Sequence, residues 1–158
     1  MRRGAILPWS RLPVPRLVLP AILVVACAGC AGENAPPPDD LLRETLGLTE
    51  DDAVHRVVLT SDSVERARPS EVVVRSGDFV EFVTDDWKIH EVIFELDSLA
   101  TPARTFLVDS DQVESPPLLD RGVRYVLSFR DAPEGRYPYR VEGNAPATHG
   151  VIIVRYDD

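Results

Sequence analysis

The chain predicts an all-β fold, an antiparallel Greek-key β-sandwich of seven or eight strands preceded by one short helix. Three observations carry that expectation. Short β-branched and aromatic runs recur from residue 54 onward, separated by polar, Gly- and Pro-containing turns. Apolar residues in these runs alternate with a period of two, which places one face of each strand in a core. One long irregular connection, residues 97–121, interrupts the series, as a crossing segment of a sandwich would.

The elements follow in order. Asp39 and Asp40 can cap a helix over Leu41–Leu46, which puts Leu42 and Leu46 on one face and stops at Gly47. A helix this short needs a surface to pack on. HRVVLT from His55 is the first strand, SDSVERARPS is a polar connection ending in proline, and EVVVR (Glu71–Arg75) is the second strand. Ser76-Gly77-Asp78 turns it into DFVEFVT, so these two strands are expected to form a hairpin. In the strand after Asp85-Asp86-Trp87-Lys88, His90, Val92 and Phe94 share one face. TFLV (105–108) is a candidate short strand and SPPLL a stiff crossing segment. Val123, Tyr125, Leu127 and Phe129 then line one face of a strand, and Tyr137, Tyr139 and Val141 line one face of the next. GVIIV closes the fold. Tyr125, Tyr137, Tyr139, Phe82 and Phe129 form the expected aromatic core, and Pro138 must turn its missing donor away from a neighbouring strand.

Ahead of these strands, 30 residues with four arginines and no acid lead through LVLPAILVVA to small residues and Cys27 and Cys30. That is the layout of a bacterial secretory signal, too short to span a bilayer as a helix. VVACAGC resembles a lipobox, which implies acylation of Cys27, or of Cys30, and a membrane partner reached through an N-terminal lipid anchor. The organisation is therefore residues 1–30 signal and lipobox, 31–40 Pro-rich tether, 41–53 helical lead-in and 54–158 β-domain. The expected location is the bacterial cell envelope, on the periplasmic side or the outer surface.

Beyond residue 30 the chain holds 13 basic and 26 acidic residues, a net charge near −13. Such a balance argues against nucleic acid and against anionic lipid headgroups as partners, and favours cations or basic partners. No cysteine follows Cys30, so the β-domain can hold neither a disulfide nor a thiolate ligand. No nucleophile elbow or Gly-rich phosphate loop occurs, and the acid pairs Asp85-Asp86 and Asp51-Asp52 suit turns and caps, so no enzymatic activity is expected.

From about Pro69 to Val154 the chain resembles the plastocyanin-like cupredoxins. Gly77-Asp78, Val80, Phe82, Asp85, Asp86 and His90-Glu-Val match the segment around that family's first histidine ligand. Ser115, Leu118, Gly122, Phe129 and Pro133-Glu-Gly-Arg-Tyr137-Pro-Tyr139 match the later segment. The family continues with cysteine, histidine and methionine ligands, and here those positions hold Val141, Asn144 and Thr148, with Gly150 retained. His90 is the one inherited ligand.

The resemblance implies a degenerate member without a type 1 copper site, because a blue-copper centre depends on a His₂Cys set. The function expected is that of a binding module, with Trp87, Asp86, Glu142 and Asn144 as its interaction surface and another envelope protein as partner. No cofactor is expected. Two alternatives stand beside this: copper(II) or zinc bound through His90 and His149, and a copper electron carrier. His55, on a valine-rich strand, is expected to be structural.

Overall fold

The computed structural model describes residues 40–49 and 52–156. The proposed signal and lipobox and tether residues 31–39, with Asp39 of the helix cap, lie outside them, whereas Asp40, expected to end the tether and cap the helix, is the first residue of that helix. Helix α1 spans Asp40–Leu46, and the eight strands are β1 Val54–Ser61, β2 Glu65–Arg68, β3 Glu71–Arg75, β4 Phe79–Thr84, β5 His90–Phe94, β6 Arg124–Ser128, β7 Gly135–Gly143 and β8 Thr148–Arg155. A second helix, α2, spans Thr101–Asp109 between β5 and β6. Among the described residues no helix is long and apolar enough to cross a membrane.

The strands form two four-stranded sheets, ordered β2-β1-β4-β6 and β3-β8-β7-β5. Each sheet turns its alternating apolar face inward. Val57, Leu59, Val80, Phe82 and Leu127 from the first sheet meet Val72, Val92, Tyr137, Tyr139, Val141 and Ile152 from the second, all almost wholly buried. Edge-to-face contacts bind the aromatics into two groups: Tyr139 with Phe82 and Phe94, and Tyr137 with Phe129 and Phe106. Tyr125, at the margin of this core, is only partly buried and donates its hydroxyl to the Glu114 carbonyl at 3.3 Å.

Four local expectations are corrected. Glu71–Arg75 and Phe79–Thr84 do not make a hairpin: β3 pairs in parallel with β8, and β4 pairs with β1 and β6 in the other sheet. The turn at Gly77 is real, with φ +111° and an Asp78 N–H to Arg75 carbonyl bond of 3.1 Å, but it carries the chain from one sheet to the other. For the same reason the sandwich is not purely antiparallel, since β1–β4 and β3–β8 are both parallel. SDSVERARPS is not all connection, because Glu65–Arg68 pairs with β1 as an edge strand. TFLV lies in α2, where Pro near the N-terminus opens the helix and Ala103 and Leu107, four apart, seat it on the core.

Other local chemistry behaves as the residues dictate. Gly47, at φ +62°, ends α1: its N–H bonds the Glu44 carbonyl and the Leu48 N–H the Arg43 carbonyl. Leu42 on that helix is buried, whereas Leu46 is exposed. The Pro138 carbonyl accepts from Glu95 N–H at 3.0 Å, on the side facing β5. A strand residue's N and C=O point the same way, so the missing proline donor faces the end of β5 and costs no bond to β8.

Segment Val113–Leu118 covers the free edge of β5. His90 and Leu118 exchange backbone bonds, Phe94 N–H reaches the Val113 carbonyl, and the Ser115 hydroxyl accepts from Val92 N–H at 2.9 Å. The irregular crossing thus fixes the strand that carries His90.

Candidate functional site

The conspicuous polar feature of the interior is built around His90. Alternation on β5 points its ring into the sandwich with Val92 and Phe94, and the ring is fully buried. Nδ1 lies 2.8 Å from Glu65 Oε2 and Nε2 lies 2.8 Å from Asp86 Oδ1. Glu65, the first residue of β2, is itself fully buried, and its other oxygen accepts from Ala145 N–H at 3.0 Å. Its backbone N–H bonds the Pro146 carbonyl, also in the β7–β8 loop.

Asp86 accepts from Ser61 N–H at 2.7 Å and Lys88 N–H at 3.0 Å, and Lys88 Nζ donates to the Ser61 carbonyl at 2.6 Å. Burial pushes the Asp86 carboxyl up, but the bonds from His90, Lys88 and Ser61 outweigh it and hold the group below its ordinary range. Gly143, opposite His90, leaves room for this cluster: a Cβ there would sit 2.2 Å from the Ile89 carbonyl and 2.7 Å from Glu65 Oε1.

A neutral imidazole carries one N–H, and a carboxylate only accepts. Both short contacts are hydrogen bonds only when the cluster holds one proton more than a neutral ring supplies. A metal ion at His90 would have to displace Glu65 or Asp86 from a ring nitrogen. The trigonal His₂Cys set is not met by the residues at this end either. Val141 is fully buried among apolar side chains, Asn144 Oδ1 accepts from Ile89 N–H at 3.0 Å, and the described residues contain no cysteine.

The structure does not bring His90 and His149 together. His149 pairs with Arg140 across β8 and β7 and points to the outer face of the sheet, opposite His90. Its side chain is 69% exposed and its Nδ1 lies 2.7 Å from Glu95 Oε1. It borders a depression of about 450 Å³ that also includes Ser70, Ser98, Arg136 and Pro138. Among the described residues no group of three or more His, Cys, Asp and Glu side chains converges as a metal cage. In the Glu65–His90–Asp86 cluster the ring lies between the carboxylates.

The four interaction candidates separate into two kinds. Trp87 is 74% exposed, and Ile89 beside it is 44% exposed. Asp86 and Asn144 spend their acceptors inside the loop network, and Glu142 pairs with Arg140 Nε. Sequence reasoning missed Glu65, which sat in a stretch expected to be a connection. The available signal was faint: a period-two pattern, Glu65 and Ala67 against Arg66 and Arg68. His55 bonds Asp78 Oδ2 at 2.8 Å, where Arg75 N–H also donates at 2.9 Å, bracing the turn between the sheets.

No protein-family model matches the chain, and no curated protein matches it. Solved structures do. A purple cupredoxin from Nitrosopumilus maritimus is 17% identical, matching 64% of this chain and 99% of its own length with a TM-score of 0.42. An oxidized amicyanin mutant is 16% identical over 70% of this chain and 88% of its own, with a TM-score of 0.42. A copper-containing nitrite reductase from Thermus scotoductus is 20% identical over 66% of this chain but only 23% of its own, with a TM-score of 0.48. The chain is similar to each of these.

Proposed function

We propose that this chain is a lipid-anchored cell-envelope protein whose cupredoxin-like domain has no type 1 copper site and serves as a binding module. The observation that carries the reading is the state of His90. At the position where the resemblance places a copper ligand, both ring nitrogens are occupied by carboxylates, the buried Glu65 and the partly buried Asp86. The cluster joins β2, the β4–β5 loop and the β7–β8 loop at one end of the sandwich. Its bonds hold the Asp85–Ile89 loop in place, with Trp87 projecting into solvent. An exposed tryptophan on a fixed loop suits a partner-binding anchor, because little side-chain or loop entropy is lost on docking.

Two measurements test this. Protein purified from its native envelope should contain no stoichiometric copper and show no intense visible thiolate-to-copper band; finding both overturns the metal-free reading. Trp87→Ala should leave the folding midpoint within about 0.5 kcal/mol of the parent, because the residue is exposed. The same change should weaken capture of the envelope partner by about tenfold or more, as expected of a hot-spot aromatic. Unchanged capture overturns the assignment of this surface.

A further inference from the structure

The net negative charge of the domain conceals one basic face. On the outer side of the β2-β1-β4-β6 sheet, cross-strand register aligns Arg68, Val58, Val83 and Arg124 in one row. Two valines thus lie between arginines on the two edge strands, across about 14 Å at the usual strand spacing. Arg66 stands beside Thr60 on one side of this row, and Arg56 beside Glu81 on the other. Arg121 joins them from the β5–β6 connection, where it bonds Asp85 at 2.7 Å. A depression of about 280 Å³ is floored by Val58 and Val83 and rimmed by Arg56 and Arg121.

Two carboxylates pair with three of the five guanidiniums on this face. Glu81, fully buried, lies 2.6 Å from Arg56 Nε and 3.2 Å from Arg124 Nη1, so one acid fixes two cations. Asp85 pairs with Arg121. Arg66 Nε is buried without a hydrogen-bond partner. The whole chain carries −9, so this face is basic on a chain that is acidic overall.

We infer that this arginine–valine face rests on the anionic phospholipid headgroups of the membrane to which the chain is tethered. The inference rests on the envelope placement proposed above. Charge complementarity selects an anionic partner, and the cations spread over the full width of a sheet rather than along a groove. That layout fits a plane of headgroups better than a single acidic peptide. Reach selects the bilayer: the nine residues 31–39 that precede α1 can span at most about 32 Å even fully stretched. Anionic headgroups would therefore be permanently within range, and a weak contact suffices to orient the domain.

The test uses the full chain with Cys27→Ser and Cys30→Ser, so that no acyl chain contributes. Binding is measured by co-sedimentation with vesicles of phosphatidylcholine alone and of phosphatidylcholine with phosphatidylglycerol. In this background Arg68→Gln/Arg121→Gln is compared with Arg104→Gln/Arg136→Gln, which removes the same charge elsewhere. Each basic residue at an anionic surface contributes about fivefold in binding, so the face variant should bind phosphatidylglycerol vesicles about 30-fold more weakly than the parent. The control variant should stay within about threefold of the parent, and all three proteins should be alike on phosphatidylcholine. Equal losses in the two variants, or no gain from phosphatidylglycerol in the parent, overturn the inference. Salt-sensitive binding of the face to a polyglutamate peptide without any phosphatidylglycerol dependence overturns it in favour of an acidic polypeptide. Mass analysis of the envelope protein, which reads acylation independently, separates failure of this inference from failure of the anchor.

Discussion

Glu65 offers the sharpest probe of the buried cluster, because alanine and glutamine perturb it in opposite ways. Glu65→Ala removes the acceptor for His90 Nδ1, in a wholly buried setting, and the acceptor for Ala145 N–H, in a partly buried one. A hydrogen bond to a charged group is worth about 1.5–3 kcal/mol, and a buried donor left without a partner costs about 1–3 kcal/mol. Together these predict a loss of about 2.5–6 kcal/mol, a large part of the roughly 5–15 kcal/mol that holds a domain folded. Glu65→Gln keeps the shape, and its oxygen can still accept from Ala145. Its amide can donate to Nδ1 of a neutral ring whose Nε2–H serves Asp86, so every buried group keeps a partner. The expected cost is about 1 kcal/mol, the difference between a charged and a neutral bond. Urea unfolding at neutral pH measures both. If the alanine variant loses less than about 1.5 kcal/mol, or glutamine costs as much as alanine, the cluster is not the polar keystone described here.

Two further outcomes follow from the structure. In Gly150→Ala the new Cβ would stand 2.3 Å from Tyr139 Cζ and 2.8 Å from the Ser70 carbonyl, so the variant should lose about 1–3 kcal/mol, with altered near-ultraviolet circular dichroism from the displaced ring. Asp78 is raised by burial but lowered more by bonds from His55 and Arg75 N–H, for a net folded pKa below the ordinary carboxylate value. A depressed carboxyl stabilises the fold above its unfolded pKa and loses that contribution as pH falls through the folded one, so Asp78→Asn should flatten the acid limb of a stability–pH curve below about pH 4.

How much of this was legible depended on whether the signal was local. Alternation alone identified the inward faces of β5 and β7, because Val92, Phe94, Tyr137, Tyr139 and Val141 repeat with strand period and have nowhere to go but the core. The Gly77-Asp78 turn was equally visible, but not the fact that it changes sheets. Pairing of β3 with β8 is settled by residues some 80 positions away. β2 carried the weakest signal because Glu-Arg-Ala-Arg has one small apolar side chain. It is a strand because β1 supplies a ladder and because Glu65 finds His90 and Ala145 inside. The same nonlocality hid the candidate site: Asp86 looked like a surface acid, and only the folded chain shows its carboxylate turned to the ring. TFLV looked like a strand because four residues cannot distinguish a period of two from one of 3.6 when all are apolar or β-branched.

The parallel pairing of β3 with β8 also sets an order of events. Residues 71–75 have no ladder partner in their sheet until residues 151–155 exist, and Glu65 has no acceptor role for Ala145 until the β7–β8 loop has been made. As the chain is synthesised from its N-terminus, the second sheet must stay open along β3 until residues 151–155 have emerged. Contacts this distant in sequence make for slow closure. A chain truncated before β8 would leave β3 without its ladder partner and its edge open to solvent.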